Sequence, residues 1–154
     1  MKSIPGVAAC CRFGVMFLVI FGVTTGCSTF QRDWRQAAKS PARADSITGR
    51  WEGRWQSDAN GHHGKLRCLI SEDAHGNYAA RFRASYLKIL SFSYSVALEV
   101  NSNNLTWQFH GAEDLGAAAG GLYHYTGTIT PTNFHAIYEA KSDHGTFEMK
   151  RPDR

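Results

Sequence analysis

What this chain lacks narrows its class first. Of its four cysteines, Cys10, Cys11 and Cys27 crowd into the first 27 residues, and only Cys68 stands in the rest. No internal disulfide framework therefore staples the body of the chain. Leu66 and Ile70 flank Cys68 at alternating positions, which reads as a small buried hydrophobe and not as a catalytic thiol. Neither a four-cysteine set nor a His-x-x-x-His spacing is present. Glu139, Asp143, His144 and Glu148 supply acids and bases, but no nucleophile motif, glycine-rich phosphate loop or paired-carboxylate spacing organises them, so the chain reads as a non-enzyme. Charge of one sign is scarce as well. The formal net charge is +4 and falls to +2 without Lys2 and Arg12 near the N-terminus, which points away from a nucleic-acid partner.

A long hydrophobic run is also missing. The longest, Phe13 to Val23, is about 11 residues and comes after Lys2 and Arg12; it is too short for a confident membrane span and has the shape of a secretory signal. It ends in Thr24-Thr25-Gly26-Cys27-Ser28. Gly26, Cys27 and Ser28 resemble the lipobox of bacterial lipoproteins, with Thr24 where that family usually has leucine. The resemblance implies a signal peptide over residues 1–26 and acylation of the Cys27 sulfur. At about 0.8 kcal/mol per buried CH₂, several acyl chains make such an anchor effectively permanent. Ser28 resembles the residue that sends lipoproteins to the outer membrane, so the implied place is the cell envelope, lipid-anchored at the outer membrane and facing the periplasm.

Residues 27–46 read as a lipidated tether. Within it, Phe30 to Ala38 suits a short helix that sets Phe30 and Trp34 on one side. From Ile47 to Arg151 the period changes to two, and eight stretches alternate apolar and polar residues. Trp51, Gly53 and Trp55 share one face of the first, opposite Arg50, Glu52, Arg54 and Gln56. Leu66, Cys68 and Ile70 oppose Lys65 and Arg67, and Tyr78, Ala80, Phe82 and Ala84 oppose Arg81 and Arg83. Leu90, Phe92, Tyr94, Val96, Leu98 and Val100 continue the pattern, and Leu105, Trp107 and Phe109 come next. Tyr123 and Tyr125, then Phe134, Ala136 and Tyr138, and finally Phe147 and Met149 complete it. Turns are expected at Asn60-Gly61, Gly76-Asn77, Asn101 to Asn104, Pro131 to Asn133 and Asp143 to Gly145. A longer small-residue loop spans Gly111 to Gly121.

Eight amphipathic strands with short connections either close into an all-β, antiparallel, up-and-down barrel or stack as a sandwich, since an open sheet leaves unpaired edges; a resemblance in the first strand favours the closed barrel. Gly49-Arg50-Trp51 resembles the Gly-x-Trp that opens the first strand in the calycins, the lipocalin and fatty-acid-binding group. That resemblance implies a basic side chain from the last strand over the tryptophan, a role that falls to Arg151, with Gly49 and Trp51 completing the barrel-end packing.

In that group the barrel interior is the ligand site. The inward positions nominate Trp55, Phe82, Tyr94, Trp107, Tyr123, Tyr125 and Tyr138 as lining for a small apolar or amphipathic ligand, with tyrosine hydroxyls as its polar contacts. Eight strands enclose just enough room for side chains to fill or for one small ligand. A filled barrel that meets a partner through its surface is the alternative, and the basic row Arg50, Arg54, Lys65, Arg67, Arg81 and Arg83 is the surface it would use. His62, His63 and His144 fall in loops at the end opposite Trp51 and are the candidate ligands for a metal or haem; no other cofactor is indicated. An integral membrane barrel shows the same period with its faces exchanged. The anchor, the charged and serine-rich alternate faces and the ending Arg151-Pro152-Asp153-Arg154 argue against that, leaving a monomeric protein held to the membrane by lipid.

Overall fold

The computed structural model describes residues 24–87 and 90–153. The signal segment therefore lies outside the described residues up to position 23. An α-helix, α1 (Thr24–Ala37), precedes eight strands: β1 (Gly49–Ser57), β2 (His63–Glu72), β3 (Tyr78–Tyr86), β4 (Leu90–Asn103), β5 (Thr106–Asp114), β6 (Leu122–Ile129), β7 (Asn133–Ala140) and β8 (His144–Lys150). They pair antiparallel in chain order, and β1 closes on β8 with Glu52 opposite Lys150 and Ser57 opposite Gly145. The protein is an all-β, eight-stranded, up-and-down closed barrel, as the period of two implied.

Alternation decides what fills it. Trp51, Leu66, Cys68, Phe82, Val96 and Phe134 are buried inside, while arginine, lysine, serine and glutamate occupy the alternate positions. This is the inverse of a membrane-spanning barrel, whose apolar face points outward. Gly53 passes against the backbone of Glu148 and Met149, where a side chain would collide, so β1 and β8 approach closely enough to seal the barrel.

One end is shut. The Arg151 guanidinium lies 3.9 Å from the centre of the Trp51 ring and donates to the carbonyls of Thr48 and Ser46, at 2.6 Å each. The Trp51 indole N–H donates to the Ile47 carbonyl at 2.9 Å. Gly49 has φ of 100°, and a Cβ there would stand 3.3 Å from Arg151 Nη1. Glycine suits both demands, the left-handed backbone and the cation beside it.

Several expected boundaries shift for physical reasons. Leu90 and Phe92 are 58% and 49% exposed: they pair with Tyr86 and Ala84 of β3, but the β4–β5 ladder covers only Glu99 to Asn103, so the start of β4 is flanked on one side alone. Asn101 to Asn103 belong to β4, and the turn is Asn104-Leu105 alone, with φ of 47° and 62°. Two positive φ values in a two-residue connection make a type I′ turn, which matches the twist of the strands it joins. Leu105 is therefore an exposed turn residue and not part of the interior. At the last hairpin, β8 begins at His144, so the turn is residues 141–143.

The segment read as a tether is partly built into the fold. Phe30 and Trp34, one turn apart on α1, stack with centroids 5.8 Å apart and are both buried. They lie on the outer face of the barrel. Arg50 and Arg67 sit over the Trp34 ring at 5.4 and 5.0 Å, Arg81 over Phe30 at 5.5 Å, and Arg81 pairs with Asp33 at 2.8 Å.

Candidate functional site

Chain direction sets the geometry of the other end. Each odd-numbered strand runs away from Trp51, so the connections after β1, β5 and β7 gather at the opposite mouth. There a cavity of about 260 Å³ opens into the barrel. Trp55 enters it from β1, Ala84 from β3, Phe92 and Tyr94 from β4, Tyr123 and Tyr125 from β6, Tyr138 from β7 and Phe147 from β8. Leu115 and Ala119 of the β5–β6 loop cover one side, and Asp143 of the β7–β8 turn stands at the rim.

The rings form a continuous stacked belt. Phe92 stacks on Tyr94 at 5.9 Å, Tyr94 on Tyr125 at 6.1 Å and Tyr125 on Tyr123 at 6.3 Å; Tyr138 packs on Phe147 at 5.1 Å. Phe82 makes the floor, stacked beneath both Tyr94 and Tyr125 at 5.3 and 6.2 Å. Below it Phe109, Phe134 and Trp51 fill the barrel. The interior is thus packed in its lower half and open in its upper half.

Polar groups are few and placed. Ser57 Oγ donates to Asp143 Oδ1 at 2.5 Å, and the Tyr138 hydroxyl reaches Asp143 Oδ2 and the Gln56 carbonyl at 3.4 Å each. The Trp55 indole N–H donates to the Ser85 carbonyl at 3.1 Å, which fixes its ring in the wall. Among the described residues Tyr125 Oη is buried with no partner at full hydrogen-bond geometry, the Tyr94 hydroxyl lying close enough to influence it. Burial pushes the phenols of Tyr94, Tyr125 and Tyr138 upward from their ordinary value, so all three are neutral hydroxyls at physiological pH.

Of the seven residues nominated from the sequence, Trp55, Tyr94, Tyr123, Tyr125 and Tyr138 come together around the cavity. Phe82 lies under it. Trp107 does not take part: it is the second residue of β5, opposite Ile129, and so sits toward the closed end. Parity assigns a face, whereas depth along the barrel depends on where each strand starts. Ala84, Phe92, Leu115, Ala119, Asp143 and Phe147 complete the lining, and of these Phe92 and Phe147 carried an aromatic signal that strand parity singles out.

The three loop histidines do not gather. His63 and His144 occupy outward positions on β2 and β8 with β1 between them, and His62 packs its ring on Tyr86 at 4.9 Å. Among the described residues no group of three histidine, cysteine, aspartate or glutamate side chains could hold a metal ion. No histidine lines the cavity, so it offers no imidazole to a haem. The basic row is partly engaged. Arg50 and Arg67 lie over Trp34 and Arg81 over Phe30 of α1, Arg54 pairs with Glu148 at 2.6 Å, and Arg67 also pairs with Glu52 at 3.4 Å, while Arg54, Lys65 and Arg67 keep an exposed surface.

The fold and cavity define a class: a small closed barrel, sealed at one end and hollow at the other. No protein-family model, curated protein or solved structure matches the chain.

Proposed function

We propose that this is a lipid-anchored cell-envelope protein whose barrel binds a small apolar or amphipathic molecule. The observation that carries the reading is the aromatic cavity with an unpartnered Tyr125 hydroxyl in its wall. Buried hydroxyls ordinarily have partners, and one left without supports a visiting group as its partner. At about 260 Å³ the cavity lies below the roughly 300–1,000 Å³ of sites that enclose drug-sized ligands. The fitting ligand is a single ring system or a short acyl chain and not a whole phospholipid. The anchor rests on the resemblance of Gly26-Cys27-Ser28 to a lipobox, with the Cys27 sulfur acylated, Cys27 becoming the new N-terminus when residues 1–26 are removed, and Ser28 directing it to the outer membrane. A barrel acting only through its surface is less favoured, since three arginines of its most charged face, Arg50, Arg67 and Arg81, are engaged by the rings of α1.

Native mass spectrometry on the full chain, gently extracted from an exporting host, tests both parts. A small mass removed by organic solvent, on a chain that starts at an acylated Cys27, supports the proposal. A clean mass that stays clean after incubation with envelope lipid extract counts against a ligand, and unmodified Cys27 counts against the anchor.

A further inference from the structure

The chemistry of the cavity goes beyond its size and selects the charge of its ligand; this inference rests on the cavity being a ligand site. Among the described residues Asp143 is the one charged residue in the lining, and no described lysine, arginine or histidine accompanies it there. Its carboxylate is half-buried and meets only the neutral hydroxyls of Ser57 and Tyr138. A second carboxylate, Glu113, lies on β5 at the parity of Trp107 and Phe109 and is half-buried. Its charge is felt by the Tyr125 hydroxyl, as the charge of Asp143 is felt by Tyr123 and Tyr138, each of which is pushed upward chiefly by burial. None of the ion pairs among the described residues neutralises either acid.

Two negative charges therefore stand at a mouth whose walls are aromatic faces. Carboxylates that face hydroxyls and rings but no cation among the described residues attract one, and aromatic faces attract a cation and repel an anion. Tyr125, 2% exposed with its Oη unpartnered, sits two residues further into the barrel than Tyr123 and offers a hydrogen bond to a polar group at the ligand's inner end.

We propose that the cavity binds a small organic cation, a primary or secondary amine bearing an aryl or short alkyl group. The apolar portion lies among Trp55, Tyr94 and Phe147, and the ammonium faces Asp143 at the rim. Neutral analogues of the same shape bind less well, and anionic analogues bind least.

The test compares three probes of matched shape: phenethylamine, phenethyl alcohol and hydrocinnamate. Each is titrated into the full-chain protein while tryptophan fluorescence is monitored, since Trp55 lines the cavity, and calorimetry confirms the constants. The expected result is an amine bound about tenfold more tightly than the alcohol, a gap that one charge-assisted contact supplies, with the acid weaker than both. Asp143→Asn reduces the amine-over-alcohol preference about tenfold, the amide retaining an acceptor for Ser57. If that variant does not fold, Glu113→Gln serves in its place and lowers the preference about threefold. Alcohol or acid binding as tightly as the amine overturns the cation inference and leaves the cavity a ligand site. Absence of binding by all three, to protein shown folded by circular dichroism, overturns both.

Discussion

Arg151 closes the barrel over Trp51: its guanidinium lies 3.9 Å from the indole ring while both terminal nitrogens are taken up by the carbonyls of Ser46 and Thr48. The contact ties the C-terminal end of β8 to β1, so it forms only when the whole barrel has closed. Burial lowers the Arg151 pKa to about 10, which leaves it charged at neutral pH. Trp51→Ala removes a fully buried ring from the core and is expected to cost about 3–5 kcal/mol. Arg151→Met keeps the bulk but leaves two part-buried carbonyls without their charged donor, at about 1 kcal/mol each. Arg151→Lys does not rescue it, because an ammonium cannot reproduce a planar fork that stacks and donates at once. Urea unfolding of the three variants checks the order, and full rescue by lysine would remove the stacking explanation.

Alkaline pH should unfold the barrel through its tyrosines. Tyr94, Tyr125 and Tyr138 have phenol pKa values raised in the folded state, chiefly by burial. Their unfolded values lie near 10. Between the two, the unfolded chain has released protons that the folded chain still holds, so stability falls as pH rises above about 10 and is unaffected by these groups below it. Phenolate absorbance from the buried tyrosines should then appear together with the loss of circular dichroism. Full ionisation of all tyrosines in a barrel that stays folded would show the cavity to be far wetter than its geometry indicates.

The docking of α1 makes a separate prediction. Trp34 is buried between the helix and the guanidinium groups of Arg50 and Arg67. Trp34→Ala is expected to cost about 1–3 kcal/mol and to raise hydrogen exchange along α1 while the strands remain protected. A helix whose exchange is unchanged by the substitution would mean that Phe30 and the Asp33–Arg81 pair hold it unaided.

Strand parity was readable because a period of two commits every inward residue at once. Gly49, Trp51 and Arg151 were readable through the resemblance of Gly49-Arg50-Trp51 to the calycin opening, and an even number of strands, which returns the chain to its starting end, agrees with it. Depth was not readable. Trp107 and Phe147 both lie inward, yet only Phe147 reaches the cavity, because β5 leaves the closed end just where Trp107 stands whereas β8 leaves the mouth just before Phe147. The use of the arginine row was hidden too. Phe30 and Trp34 announce a helix face, and Arg50, Arg67 and Arg81 announce an outer sheet face, but an arginine row facing aromatic rings is satisfied by cation–π contact, which leaves no periodic trace in either segment.

Filling the cavity separates binding from folding. Ala84 is 3% exposed and contributes only a methyl group to the lining, beside Trp55 and the Phe92–Tyr94 stack. Ala84→Leu places three more carbons into a space of about 260 Å³. Where a cavity already exists, such carbons gain contacts without the roughly 1–3 kcal/mol of strain that overpacking a filled core produces. Thermal unfolding should therefore stay level or rise by about 1 kcal/mol. Occupancy by any molecule that uses the upper barrel should fall, read as loss of the solvent-extractable mass and of the tryptophan fluorescence response. The two readouts move in opposite directions only if the hollow is real and serves a ligand. A variant that is destabilised instead would show that the aromatic belt closes over the space in solution, and the search for function would move from the interior to the exposed rim of Leu87, Leu90 and Leu122.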